Sequence, residues 1–69
     1  MAHKASYFEV TAFLTEIEPE YARAYSFEAY MRDCEAMPGK GRVAHAVRDR
    51  WPLLTLHEAS AFVQLFLAG

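Results

Sequence analysis

Residues 55–69, TLHEASAFVQLFLAG, decide how this chain is interpreted. TLHE has the form of a capping box, in which Thr55 accepts the backbone N–H of Glu58 and the Glu58 carboxylate accepts that of Thr55. We therefore predict a helix from Leu56 onward. Apolar residues then recur along it at steps of three and four, as on one face of a helix: Ala59, Phe62, Val63, Phe66 and Leu67.

The apolar character of this helix extends beyond that face. Leu65 lies off the stripe, and only two polar residues interrupt the run from 59 to 68. A helix that is apolar over most of its circumference needs cover on more than one side, and monomers seldom expose a large apolar patch. A 69-residue chain has a thin core to supply that cover. We therefore predict a homodimer, with Phe62, Leu65 and Phe66 among its contacts.

Three breaks upstream divide the chain into four segments. They are EPE around Pro19, PGKGR at residues 38–42 and WPLLT at residues 51–55. Proline and glycine are the residues that most often interrupt regular structure. The pattern predicts an all-α fold of three or four short helices in one compact domain spanning residues 1–69.

The first segment opens with a second capping box, SYFE at residues 6–9. Residues 7–15 are also rich in β-forming residues in near alternation, so a strand is the alternative there. The helical interpretation rests on apolar residues that recur at steps of three and four: Tyr7, Val10, Leu14 and Ile17.

The second segment, residues 19–37, begins with Pro19, which suits the first turn of a helix. Ser26 leaves open whether this segment is one long helix or two short ones. We expect one stripe of the segment to face the core, flanked by Tyr21, Tyr25 and Tyr30. That stripe consists of Ala24, Phe27, Met31 and Cys34.

A short third helix is predicted over residues 42–50. Val43, Val47 and Trp51 form its apolar ridge. Pro52 ends it, because the residue before a proline avoids the α conformation.

Charge is unevenly distributed, with a net charge of −4 in residues 1–37 and +2 in residues 38–69. Tyrosine is enriched at protein interfaces. We therefore predict a docking face for a basic partner, and a small non-enzymatic interaction protein that acts as an accessory, regulator or inhibitor of a larger protein. The predicted face consists of Tyr21, Tyr25, Glu18, Glu20 and Glu28.

No pattern of residues indicates a catalytic, cofactor or metal site. Cys34 is the single cysteine and lies on an apolar stripe, where free cysteines are usually packed in the core. The three histidines, His3, His45 and His57, lack zinc-ligand spacing. PGKGR lacks the spacing of a phosphate-binding P-loop, so we interpret it as a turn between helices.

The alternative function is a small DNA-binding regulator that uses residues 39–68 as a helix-turn-helix. Arg42, Arg48 and Arg50 would lie near phosphates, but the recognition helix carries no Arg, Lys or Asn to read bases. Nucleic acid is therefore not the expected partner. No signal peptide or membrane span is apparent, and we expect a cytoplasmic protein.

Overall fold

Four α-helices and one 3₁₀ helix make up most of the computed structural model, which describes residues 3–36 and 41–69. The described ranges contain no strand, so the all-α prediction is confirmed and residues 7–15 are helical. In chain order the elements are α1 (Tyr7–Ile17), the 3₁₀ helix (Glu18–Ala24), α2 (Phe27–Ala36), α3 (Gly41–Arg50) and α4 (Leu56–Ala68).

Both predicted capping boxes form. The backbone N–H of Glu9 donates to Ser6 Oγ at 3.3 Å, and that of Ser6 donates to Glu9 Oε1 at 3.0 Å. At α4 the N–H of Glu58 donates to Thr55 Oγ1 at 3.0 Å, and that of Thr55 donates to Glu58 Oε1 at 2.9 Å. Each box satisfies backbone donors that the first turn of a helix leaves without an internal acceptor. These two signals therefore fix where α1 and α4 begin.

The chain between residues 18 and 36 forms two helices rather than one. Tyr21 interrupts the 3₁₀ helix with φ −124° and ψ 26°. The chain then leaves the helical path at Tyr25 and Ser26, and Ser26 Oγ accepts the backbone N–H of Ala29 at 3.1 Å. Ser26 therefore caps the first turn of α2, which settles the question that the sequence left open.

The face that α2 turns to the core differs from the predicted stripe. Phe27 and Met31 are exposed, whereas Tyr30 and Asp33 are buried. The prediction that Phe27 and Met31 face the core is therefore wrong. The physical reason is the break at Ser26, which lets α2 rotate so that its two buried side chains reach α3 and α4.

The core lies between the helices and is built mostly from small and branched side chains. The predicted ridge of α3 is confirmed, because Val43, Val47 and Trp51 are all buried. The Cα radius of gyration is 11.0 Å, which matches the about 11 Å expected of a compact domain of this length. Within residues 3–36 and 41–69, no helix combines the length and the apolar character that a membrane crossing needs.

The start of α1 lies beside the first two turns of α4. Lys4, just before α1, forms an ion pair of 2.7 Å with Glu58, between Nζ and Oε2. In the first turn of α1 the ring of Tyr7 contacts that of Phe62, with centroids 5.8 Å apart. These contacts bring the exposed sides of α1 and α4 close to one another.

Candidate functional site: two exposed surfaces

The first surface is the outer side of α1 and α4. Phe8 is 84% exposed and Leu65 is 61% exposed, which is unusual for side chains of this size. Successive residues are about 100° apart around a helix. The Tyr7–Phe62 contact marks the side of α1 that faces α4, and Phe8 follows outward from it. We call this surface the α1–α4 face and define it as Tyr7, Phe8, Thr11, Thr15, Phe62, Leu65 and Phe66.

None of the seven residues of the α1–α4 face is charged, although the exposed Lys4–Glu58 ion pair lies beside it. Thr11 Oγ1 donates to the carbonyl of Phe8 and Thr15 Oγ1 donates to that of Thr11, both at 2.9 Å. Threonine hydroxyls bonded in this way use their donor on their own helix. The acidic residues Glu9 and Glu16 lie on the other side of α1, beside Trp51. The exposed part of this face is therefore largely apolar, and its polar groups are the hydroxyls of Tyr7, Thr11 and Thr15.

The residues predicted for self-association all belong to this face. Leu65 is fully at the surface, whereas Phe62 and Phe66 are half-buried. The ring of Phe66 stands nearly perpendicular to that of Tyr25, with centroids 6.2 Å apart. Phe8 was not predicted, although it too lies off the apolar stripe of its own helix, and that offset was the available signal.

The second surface is a groove of about 670 Å³. The 3₁₀ helix, α2 and the first turn of α3 form its described walls. Four alanines contribute small side chains to the lining, at positions 22, 24, 29 and 36. We call it the arginine groove, because its charged residues are Arg23, Arg32, Arg42, Glu20 and Asp33.

Asp33 and Arg42 form an ion pair at one end of the arginine groove. Asp33 Oδ2 accepts the backbone N–H of Arg42 at 2.9 Å and its Nε at 3.3 Å, and Asp33 Oδ1 accepts Nη2 at 3.1 Å. The Asp33 side chain is 8% exposed and that of Arg42 is 62% exposed. Hydrogen bonds from the Arg42 side chain and backbone hold the pKa of Asp33 below its usual range. The aspartate therefore stays ionised and fixes one side of the guanidinium.

Gly41 allows α3 to begin close to α2. Its φ of +81° lies in the left-handed region, which side chains other than glycine seldom adopt. A Cβ atom at this position would lie 3.3 Å from Asp33 Oδ2 and 3.4 Å from Cys34 Sγ. Cys34 itself is half-buried against the core. Gly41 and Arg42 belong to α3, whereas the rest of the predicted PGKGR turn lies outside the described residues.

The residues predicted as an acidic docking face do not share one environment. Glu18, Glu20 and Glu28 are exposed. Tyr21 is half-buried and lines the arginine groove together with Glu20. Docking through this set stays a prediction.

Tyr25, the fifth member of that set, is part of the fold. Its hydroxyl donates to the carbonyl of Leu14 at 2.7 Å, and its ring contacts Phe66. Burial, followed by the charge of Glu18, raises the pKa of Tyr25 to about 12. Replacing this tyrosine therefore changes the packing of the 3₁₀ segment on α1 as well as the surface.

Other kinds of site find little support in the described ranges. His, Cys, Asp and Glu side chains there form no group of three that could hold a metal ion. The helix-turn-helix alternative would use α4 for base recognition. Its exposed residues between the capping box and the C-terminus are Ala61, Leu65 and Ala68, none of which reads a base edge by hydrogen bonding.

Comparisons with protein-family models, with curated proteins and with solved structures give no match to this chain. The α1–α4 face and the arginine groove are therefore the features from which a function is inferred.

Proposed function

We propose that this protein is a small non-enzymatic protein–protein interaction module that forms a homodimer through the α1–α4 face. In this proposal it docks on a larger protein as an accessory, regulatory or inhibitory subunit. The observation that carries the proposal is the uncharged α1–α4 face, on which Phe8 and Leu65 are largely exposed. Large exposed apolar patches mark interaction sites, because water exposure of such side chains is unfavourable.

A second copy of the chain is the occupant that suits this face. A typical specific interface buries roughly 800 Å² on each partner, which is about a sixth of the 4587 Å² surface of this protein. At about 1.5 Å of rise per residue the face is about 12 Å long on α1 and about 6 Å long on α4, and packed helices lie roughly 8–10 Å apart. Its projected area is therefore on the order of 100 Å², before side-chain relief is counted. The dimer is thus expected to be smaller than a typical specific interface and to be weak.

In an isologous two-fold dimer this patch would be covered by the same patch of a second copy. In such a dimer the same surface of each copy covers the other, and the assembly closes without leaving a second patch exposed. The seven residues that define the face are uncharged, and the Lys4–Glu58 ion pair borders it on one side. A two-fold dimer would therefore have to leave this pair at its rim, in contact with water.

Leu65→Asp is the direct test, with Leu53→Asp as the matched control. Leu53 is 54% exposed but lies in the turn between α3 and α4, outside the α1–α4 face. Light scattering and sedimentation are measured from low to high micromolar concentration, because a small interface is expected to be weak. Circular dichroism at each concentration checks that every variant stays helical.

We expect the wild type and Leu53→Asp to dimerise and Leu65→Asp to remain a monomer. Phe8→Ser, on the other helix of the face, should weaken the dimer as well. A wild type that stays monomeric at high micromolar concentration would exclude this use of the face. Equal loss of the dimer in Leu53→Asp and Leu65→Asp would also contradict the proposal, since it would show a general effect of the added charge.

A further inference from the structure

We propose that the arginine groove binds an acidic segment of a protein partner, whose carboxylate side chains pair with Arg23, Arg32 and Arg42. This inference rests on the proposed function, since it names the chemistry by which the module docks on a larger protein. It concerns a surface separate from the α1–α4 face.

The charges that line the arginine groove favour an acidic ligand. Arg23 and Arg32 are exposed, and within the described residues neither has a carboxylate within ion-pair distance. Asp33 is already paired with Arg42, which leaves Glu20 as the only other carboxylate among the described residues that line the groove. The groove therefore carries an excess of positive charge, although the chain has a net charge of −2.

The position of these cations strengthens the argument. Residues 1–37 contain only three basic residues, and the third, Lys4, is paired with Glu58 on another part of the surface. Both unpaired cations of the acidic half therefore line one groove. Guanidinium groups bind carboxylates through parallel N–H···O bonds that fix geometry as well as charge.

Arg42 provides a guanidinium that is already held in place. A guanidinium has five N–H donors, and Asp33 accepts from two of the Arg42 side-chain nitrogens. The remaining donors are available, because the Arg42 side chain is 62% exposed. Binding to a preorganised donor loses less side-chain entropy than binding to a free one. Arg42 is therefore suited to anchor one end of an acidic segment.

The size and lining of the groove indicate a peptide rather than a small ion. Its volume is about 670 Å³, whereas one water molecule takes up about 30 Å³. The alanines leave room for a peptide backbone to approach the wall, and the half-buried Tyr21 offers apolar contact area. Several residues of an extended segment fit this space. The groove is thus expected to bind an acidic partner, whereas Glu18 and Glu28 outside it would favour a basic one.

The test uses a short fluorescein-labelled peptide rich in Glu and Ala, with an amidated C-terminus, and measures anisotropy with the full chain. A peptide with Gln in place of Glu is the neutral probe. We expect the acidic peptide to bind, the neutral one not to bind, and added salt to weaken binding because the contacts are exposed ion pairs. Amide chemical shifts should change around the groove, at residues 19–24 and 29–36.

Arg23→Ala and Arg32→Ala should each weaken binding about twofold to fivefold, which is the effect of losing one exposed ion pair. Arg48→Ala is the matched control, because Arg48 is also exposed on a helix but does not line the groove. This control should bind as the wild type does. Equal weakening in Arg48→Ala, or no binding by the wild type at low salt, would overturn the proposal.

Two further measurements distinguish this proposal from binding of a small anion and from the dimer proposal. Inorganic phosphate at matched ionic strength should not displace the peptide, and effective displacement would identify a small-anion site instead. Leu65→Asp has an intact groove and should bind the peptide with unchanged affinity. Failure of the dimer would therefore leave the groove proposal standing, and failure of peptide binding would leave the dimer standing.

Discussion

Replacing Asp33 with alanine tests the contact that joins α2 to α3. In the wild type the Asp33 carboxylate accepts the backbone N–H of Arg42 at 2.9 Å, in the first turn of α3. It acts as a helix cap supplied by a neighbouring helix. Loss of a capping acceptor typically destabilises a protein by about 0.5–2 kcal/mol. A backbone donor left without a partner costs about 1–3 kcal/mol.

Both ranges estimate the cost of losing one hydrogen bond, from the Arg42 backbone N–H to the Asp33 carboxylate, so they are not added. The exposed side chain of Arg42 returns to water in the variant, and its loss of pairing contributes little. We therefore expect Asp33→Ala to lower the free energy of unfolding by about 2 kcal/mol at pH 7. Domains of this length have a total stability of roughly 3–10 kcal/mol. The expected fall in Tm is roughly 8–16 °C, at about 4–8 °C per kcal/mol.

The effect of Asp33→Ala should depend on pH in a defined direction. The pKa of Asp33 is lowered in the folded protein, chiefly by hydrogen bonds from Arg42. The stability that its carboxylate provides is therefore present above the unfolded pKa of about 3.9 and is lost as the pH falls through the folded value. The difference in Tm between wild type and variant should be full at pH 7 and should shrink below about pH 4.

Thermal and urea unfolding followed by circular dichroism measures both effects. Asp49→Ala is the control, because it removes the same charge from an exposed position near the end of α3. Its Tm should stay level or rise slightly, since a negative charge near a helix C-terminus is unfavourable. Equal Tm values for the two variants at pH 7 would refute the role of Asp33. A difference that persists unchanged down to pH 2 would show that packing, and not the carboxylate, is responsible.

Two further substitutions test how the chain connects its helices. Tyr25→Phe removes the hydrogen bond to the Leu14 carbonyl and should lower the free energy of unfolding in urea by about 1 kcal/mol at pH 7. Because burial raises the pKa of Tyr25 to about 12, the wild type should lose stability between about pH 10 and pH 12, and Tyr25→Phe should lose less; equal losses would contradict this. Gly41→Ala places a side chain at a φ of +81° and 3.3 Å from Asp33 Oδ2. It should destabilise the protein by about 1–3 kcal/mol, and an unchanged Tm would show that α3 starts without this constraint.

Features set by local interactions were predictable from the sequence. Each capping box joins residues three positions apart, so Ser6 and Thr55 marked the starts of α1 and α4 without knowledge of the fold. The end of α3 near Pro52 was equally local. The prediction of self-association came from the composition of α4, whose apolar run exceeds what one helix face holds, and it stays a prediction. Phe8 was missed, although it lies off the apolar stripe of α1, because that stripe was used only to locate the helix.

Features set by distant contacts were not predictable in this way. The rotation of α2 depends on the hydroxyl of Tyr30, which hydrogen-bonds Ser60 at 2.7 Å across 30 positions of the chain. A stripe that assumes one continuous helix through Ser26 cannot predict that contact. The arginine groove likewise exists only because the 3₁₀ helix turns Arg23 toward α2 and α3. In the linear sequence its three arginines are separated by nine and ten positions and form no motif.

The α1–α4 face and the arginine groove have no residue in common. A dimer formed through the face would therefore keep both of its grooves open, one on each subunit. This arrangement gives a single acidic segment no advantage, because it occupies one groove whether or not the protein is dimeric. A partner with two acidic segments is different, since binding of the first raises the effective concentration of the second when the connecting chain spans both grooves. If both proposals hold, the separation of the apolar face from the cationic groove would make the dimer favour a partner that carries two acidic segments.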